Sequence, residues 1–109
     1  DATKKHEDII QNYQNHFKDC TIFVTLEPCN HHGSTPPCSL LIEKLGFKKL
    51  VCGSLDLNPK AMGGLKRLEQ CGVSVLSGVL KQECDELLEP FLKWQKGESF
   101  VFFKIATTL

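Results

Sequence analysis

The chain has 109 residues, enough for one core of ordinary size and too few for two. Hydrophobic residues make up 41% and charged residues 24%, a soluble globular balance that excludes disordered and collagen-like classes; no apolar run reaches membrane-helix length. Thirteen basic residues offset thirteen acidic ones, and a formal charge of zero gives poor footing for nucleic acid, so a small-molecule partner is expected.

Residues 3–18 read as an amphipathic helix, with Ile9, Tyr13 and Phe17 at helical spacing beside Ile10 and with Lys4, Lys5, Asp8 and Gln14 on the wet side. Residues 21–26, Thr-Ile-Phe-Val-Thr-Leu, form a β-branched run that predicts a strand covered on both faces. A loop over 27–35 leads to a helix over 36–45, with Thr35 as N-cap, Pro36 at the first helical position and Gly46 as the stop. A second strand is predicted over 47–52, a loop over 53–59 and a helix over 64–70 closed by Gly72. A third short strand follows over 73–76. A helix over 80–88 should turn Cys84, Leu87 and Leu88 inward, and Pro90 should interrupt it before Phe91 and Trp94. Residues 100–103, Phe-Val-Phe-Phe, read as a fourth strand. Regular strand–helix alternation predicts an α/β fold, a βαβ sheet with helices on its faces.

Six cysteines demand a choice between disulfides, metal and burial. Cys20, Cys52, Cys71 and Cys84 sit in or beside apolar patterns and read as core thiols of a reducing, cytoplasmic environment. Cys29 and Cys38 differ. They lie nine positions apart in a Gly/Pro/His-rich stretch, between the end of a strand and the start of a helix. Ligands gather at the C-terminal ends of parallel strands, and a helix N-terminus favours the thiolate that binds metal. Soft sulfur ligands point to Zn²⁺. Spacing alone leaves open both a metal pair and two buried apolar side chains.

The segment Pro28-Cys29-Asn30-His31-His32-Gly33-Ser34-Thr35-Pro36-Pro37-Cys38 resembles the P-C-x-H-x-G-x-T-P-P-C signature of the deaminase domain in bifunctional riboflavin-biosynthesis deaminase/reductases, within the cytidine-deaminase-like superfamily. Asp56-Leu57-Asn58-Pro59 is similar to that family's D-P-N-P turn, with Leu57 in place of proline, and Gly63 and Gly64 match the glycines that follow. Phe91-Leu92-Lys93 resembles its F-L-K run, and Phe102-Phe103-Lys104-Ile105-Ala106 the first strand of its reductase domain. The resemblance covers residues 18–109.

What it implies is a three-layer α/β/α sheet and a zinc deaminase acting on a diaminopyrimidinone ribosyl-phosphate. Cys29 and Cys38 would be metal ligands, and His31, Ser34, Thr35, Asp56 and Asn58 would border the substrate. Ser34 stands where relatives often carry a basic residue. Residues 1–97 would be the deaminase domain lacking its N-terminal part, and 98–109 the start of a truncated reductase domain that uses NADPH. The reductase domain, and a second copy of the chain, are the partners implied. The chain opens at Asp1 directly into a helical pattern, so a piece of a longer protein is expected. It contains no His-x-Glu triplet, the family's source of a third ligand and a proton carrier; the nearest match is His6-Glu7-Asp8, 23 residues before Cys29. The chain by itself is therefore expected to be inactive. The competing reading is a thiol-bearing zinc scaffold without turnover. Glu27 is expected to order the loop before Cys29, and Trp94 to pack in the ordinary way.

Overall fold

A computed structural model describes residues 2–33, 35–95 and 97. The elements run α1 (Ala2–Tyr13), β1 (Thr21–Leu26), α2 (Cys38–Leu45), β2 (Lys49–Ser54), α3 (Gly64–Gln70), β3 (Ser74–Leu76), α4 (Lys81–Leu87) and α5 (Glu89–Gln95). The expected strand over 100–103 and the domain boundary at 98 lie outside the described residues. No described helix is long and apolar enough to cross a membrane.

The three strands lie in the order β1-β2-β3, and both pairings are parallel. Thr21 pairs with Lys49 and Leu26 with Ser54, so β1 and β2 run abreast for their full six residues. Leu50, Cys52, Leu65, Leu68, Ile42 and Val73 form the buried core, with Ile22 and Val24 packed against it. Helices α2 and α3 thus cover one face of the sheet. On the other face α4 seats Cys84 over Gly53, where a Cβ would stand 2.2 Å from the Cys84 sulfur. Asp85 on α4 fastens this contact by accepting the Ser54 hydroxyl proton at 2.6 Å.

Several expectations shift for identifiable reasons. The opening helix stops at Tyr13, not 18, because Asn15 takes a left-handed φ of 56° and its N–H turns to the Lys44 carbonyl. Phe17 still packs, stacked on Phe47 at 5.1 Å. The second helix starts at Cys38, with Pro37 at its N-cap and no side-chain cap from Thr35. Pro37 bars Pro36 from the α region, which delays the helix. Strand β2 runs two residues past its expected end, because Gly53 serves there as the close-approach point for α4 rather than as a breaker. Pro90 does separate two helices, the break falling at Leu88.

Burial corrects the sequence reading most clearly. Strand β1 is covered on one face only; Thr21, Phe23 and Thr25 are exposed, Phe23 at 73%, because α4 reaches no farther than the end of β2. Of the four expected core thiols, only Cys52 is buried. Cys84 is half-buried, while Cys20, directly before β1, and Cys71, in the turn after α3, are exposed. Leu87 also points outward, at 70% exposure, while Cys84 and Leu88 are half-buried.

Burial, then the charges of Glu27 and Cys84, push the Cys52 thiol up to about 11. Since the thiolate is the nucleophile, iodoacetamide at pH 8 should label Cys20 and Cys71 first and Cys52 only on unfolding, as peptide mass mapping would show.

Candidate functional site

The C-terminal ends of β1 and β2 feed two loops, and these loops frame the candidate site. Glu27 follows β1 directly, and its carboxylate is buried at 7% exposure. Its Oε1 accepts the Asp56 N–H at 3.1 Å, while Oε2 accepts the N–H groups of Leu65 at 3.1 Å and Gly63 at 3.3 Å. Hydrogen bonds to a charged acceptor contribute about 1.5–3 kcal/mol each. One side chain therefore gathers both ends of the 55–64 loop.

Two further ties hold the loops together. The Asn30 N–H donates to the Ala61 carbonyl at 2.8 Å. Gly64 lies so close beneath the Pro28 carbonyl that a Cβ there would come within 1.8 Å of the oxygen. Behind the loops, Arg67 donates to the Ser39 hydroxyl at 3.1 Å and pairs with Glu43 at 2.8 Å. Ser39, fully buried, donates its own hydroxyl to the Asn30 side-chain oxygen at 3.3 Å.

Cys29 meets Cys38 at the start of α2. The Cys38 N–H donates to the Cys29 sulfur at 3.2 Å, and the Ser39 N–H donates to the Cys29 carbonyl at 3.2 Å. Cys29 thus caps α2 in place of the expected Thr35. Burial of its sulfur, then the charge and hydrogen bond of Cys29, raise the Cys38 thiol above its ordinary value of 9.0. The thiolate-favouring effect expected of the helix end on Cys38 is outweighed by burial and by the neighbouring Cys29.

A cleft of about 630 Å³ opens here. Glu27, Cys29, Cys38, Asp56, Asn58 and Ala61 border its polar end, and Ile22, Val24, Leu26, Leu41 and Ile42 form an apolar wall. Phe91 and Trp94, stacked at 6.5 Å, complete the lining from α5. Trp94 is 74% exposed and borders this cleft, which replaces the ordinary packing expected of it.

Four of the residues singled out from sequence therefore share one cleft: Cys29, Cys38, Asp56 and Asn58. Asp56 is buried and accepts the Asn58 N–H at 2.9 Å, and the Asn58 side-chain oxygen accepts the Lys60 N–H at 3.0 Å. The Asp-Leu-Asn-Pro turn is thus built by its own polar side chains. His31 is exposed and Thr35 half-buried, and neither lines the cleft; Ser34 lies outside the described residues. His6 is half-buried in α1, its Nδ1 shielded from water without a hydrogen-bond partner among the described residues. Among the described residues, no three His, Cys, Asp or Glu side chains gather into a metal-holding group. The donor set thus fits half of a four-ligand thiolate site. The sequence reading missed the reach of Glu27 into the second loop, Ala61 and the two aromatics. A charged residue directly after an apolar strand was the available signal for the first.

Residues 7–54 match the family described as the cytidine and deoxycytidylate deaminase zinc-binding region. Among curated proteins, the chain is 49% identical over 90 residues to the riboflavin biosynthesis protein RibD of Actinobacillus pleuropneumoniae, covering 81% of this chain and 24% of that protein. It is 43% identical over 77 residues to a diaminohydroxyphosphoribosylamino-pyrimidine deaminase of Buchnera aphidicola, covering 70% of this chain and 52% of that one. Among solved structures, a deaminase/reductase of Thermotoga maritima superposes with a TM-score of 0.72 at 37% identity, covering 84% of this chain and 26% of that one. RibD of Acinetobacter baumannii gives 0.68 at 33% identity, covering 83% and 26%. The chain belongs to the cytidine-deaminase-like superfamily and, within it, to the deaminase domains of the riboflavin-biosynthesis deaminase/reductases. It spans about a quarter of the length of the RibD relatives.

Adding a Cβ at residue 64 forces the two loops apart. Gly64→Ala should destabilise the chain by about 1–3 kcal/mol, the usual cost of overpacking, read as a lower urea midpoint.

Proposed function

We propose that this chain is the zinc-dependent deaminase unit of a riboflavin-pathway protein, removing the exocyclic amine of a diaminopyrimidinone ribosyl-phosphate by hydrolysis. The observation that carries the reading is the meeting of Cys29 and Cys38 in the cleft that also takes Asp56 and Asn58. Residues 1–97 form this unit, and 98–109 open an NADPH-dependent reductase domain.

Cys29 and Cys38 would hold Zn²⁺. When bound, the metal supplies Lewis-acid activation of water for attack on the amine-bearing carbon. The chain's own residues do the rest of the binding. The turn at Asp56 and Asn58 presents polar groups to the ring edge or ribose, while the apolar wall excludes bulk water. A third ligand and a proton carrier are the parts that a His-x-Glu supplies in this family, so the 109 residues alone should not turn over. The scaffold reading is favoured by the lack of a third ligand group among the described residues, and it predicts bound metal without deamination.

In the protein expressed from its full reading frame, elemental analysis should find about one zinc per chain, lost in Cys29→Ser and in Cys38→Ser. Serine keeps an acceptor for the Cys38 N–H, so the loss would report the missing sulfur. A zinc-free wild type purified without chelators would overturn the site. Because the Cys38 thiol is raised and must lose its proton to bind, zinc affinity should climb as pH rises from 6 to 8, as competition with a chromogenic chelator would show.

Asn58→Ala should lower kcat/KM for the diaminopyrimidinone substrate by about tenfold, the scale of one lost hydrogen bond, and leave zinc content unchanged. Unchanged turnover would remove Asn58 from the site.

A further inference from the structure

A chain without a His-x-Glu triplet invites its buried glutamate to stand in as proton carrier, and Glu27 is that glutamate, two residues from Cys29 and on the wall of the cleft. The geometry points elsewhere. We infer that Glu27 is a positioning residue: its carboxylate sets the Asp56–Asn58 turn against the thiol-bearing loop. The inference rests on the deaminase reading for its kinetic consequence and on the hydrogen bonds alone for its structural one.

Both carboxylate oxygens are committed to backbone amides. Oε2 accepts from Gly63 and Leu65, which occupies both of its lone pairs, and Oε1 accepts from Asp56. These donors lie 29, 36 and 38 residues away in sequence, at the two ends of the loop that carries Asn58.

The backbone of Glu27 is tied as well, its N–H donating to the Ser54 carbonyl at 2.8 Å at the end of β2. The carboxylate therefore stands on a fixed base and reaches across to the second loop through the Asp56 amide. Asp56 in turn orders Asn58 through the 2.9 Å bond to its N–H. The sequence of control runs from Glu27 to the Asp56 backbone, and from the Asp56 side chain to Asn58.

Glu27→Gln separates the two roles. Whichever way the new amide turns, an NH₂ donor faces a backbone N–H donor. As a positioning residue, its replacement should speed amide hydrogen exchange at Asp56, Gly63 and Leu65 by about tenfold or more, while Leu50 and Cys52 in β2 keep their protection. In the protein from its full reading frame, KM for the diaminopyrimidinone ribosyl-phosphate should rise about tenfold, with kcat within about threefold and the shape of the pH profile unchanged. A collapse of kcat by about a hundredfold or more, with one limb of the pH profile lost and local exchange unaltered, would make Glu27 the proton carrier and overturn the inference. Unaltered exchange with unaltered KM would also overturn it.

If Glu27→Gln loses protection throughout β2, Glu27→Asp decides. Aspartate keeps the charge but withdraws it by one C–C bond, about 1.5 Å, and should release the same three amides without unfolding the sheet. Full protection of all three in Glu27→Asp would refute the positioning role. A wild type that binds zinc but deaminates nothing would sink the deaminase reading, while the exchange measurements would still decide the role of Glu27.

Discussion

A single carboxylate reaching three backbone amides holds the working end of this molecule together. Glu27 leaves β1 at the point where the chain turns toward Cys29, and from there it grips the Asp56, Gly63 and Leu65 amides beyond β2. Two loops that depart from neighbouring parallel strands would otherwise be independent. Through Glu27, the Asn30–Ala61 bond and the seat of Gly64 under Pro28, they become one rigid frame. The cleft lies where open parallel sheets place their ligands, outside the carboxyl ends of the strands.

The frame is only as firm as the sheet below it. Full-length pairing of β1 with β2 brings Leu26 beside Ser54, and so brings the two loop origins side by side. Helices α2 and α3 clamp one face through Leu50, Cys52, Leu65 and Leu68. They are joined above the core by Arg67, which ties Ser39 and Glu43 of α2 to α3. On the far face α4 is latched by Asp85 to Ser54, whose carbonyl also receives the Glu27 N–H. Ser54 is thus a junction for three elements.

Much of this was legible in the residues, because local signals wrote it. Thr21–Leu26 and Gly64–Gln70 fall where the β-branched run and the glycine-bounded helical pattern place them. The Cys29–Cys38 meeting was legible only through the resemblance of residues 28–38 to a deaminase signature, since their spacing by itself left it open. What stayed hidden was set by distant partners. The hydrogen bonds of Glu27 span about thirty residues or more, and no local pattern encodes their targets. Gly53 looked like a breaker because nothing nearby announces that Cys84 will sit on it. Cys20 and Cys71 look apolar in a composition count, yet they fall directly before β1 and in the turn after α3, where both are exposed. Phe23 shows the same limit, since strand periodicity tells which side chains share a face but not whether a helix will cover it.

Cys29 performs two duties with one set of atoms. Its sulfur and its carbonyl receive the opening amides of α2, and that helix begins with the other thiol. Any reagent or oxidant that converts this sulfur alters the acceptor of the Cys38 backbone amide, so a change at one thiol is felt at the start of the segment bearing its neighbour. The two thiols are thus coupled through the backbone as well as through their shared cleft.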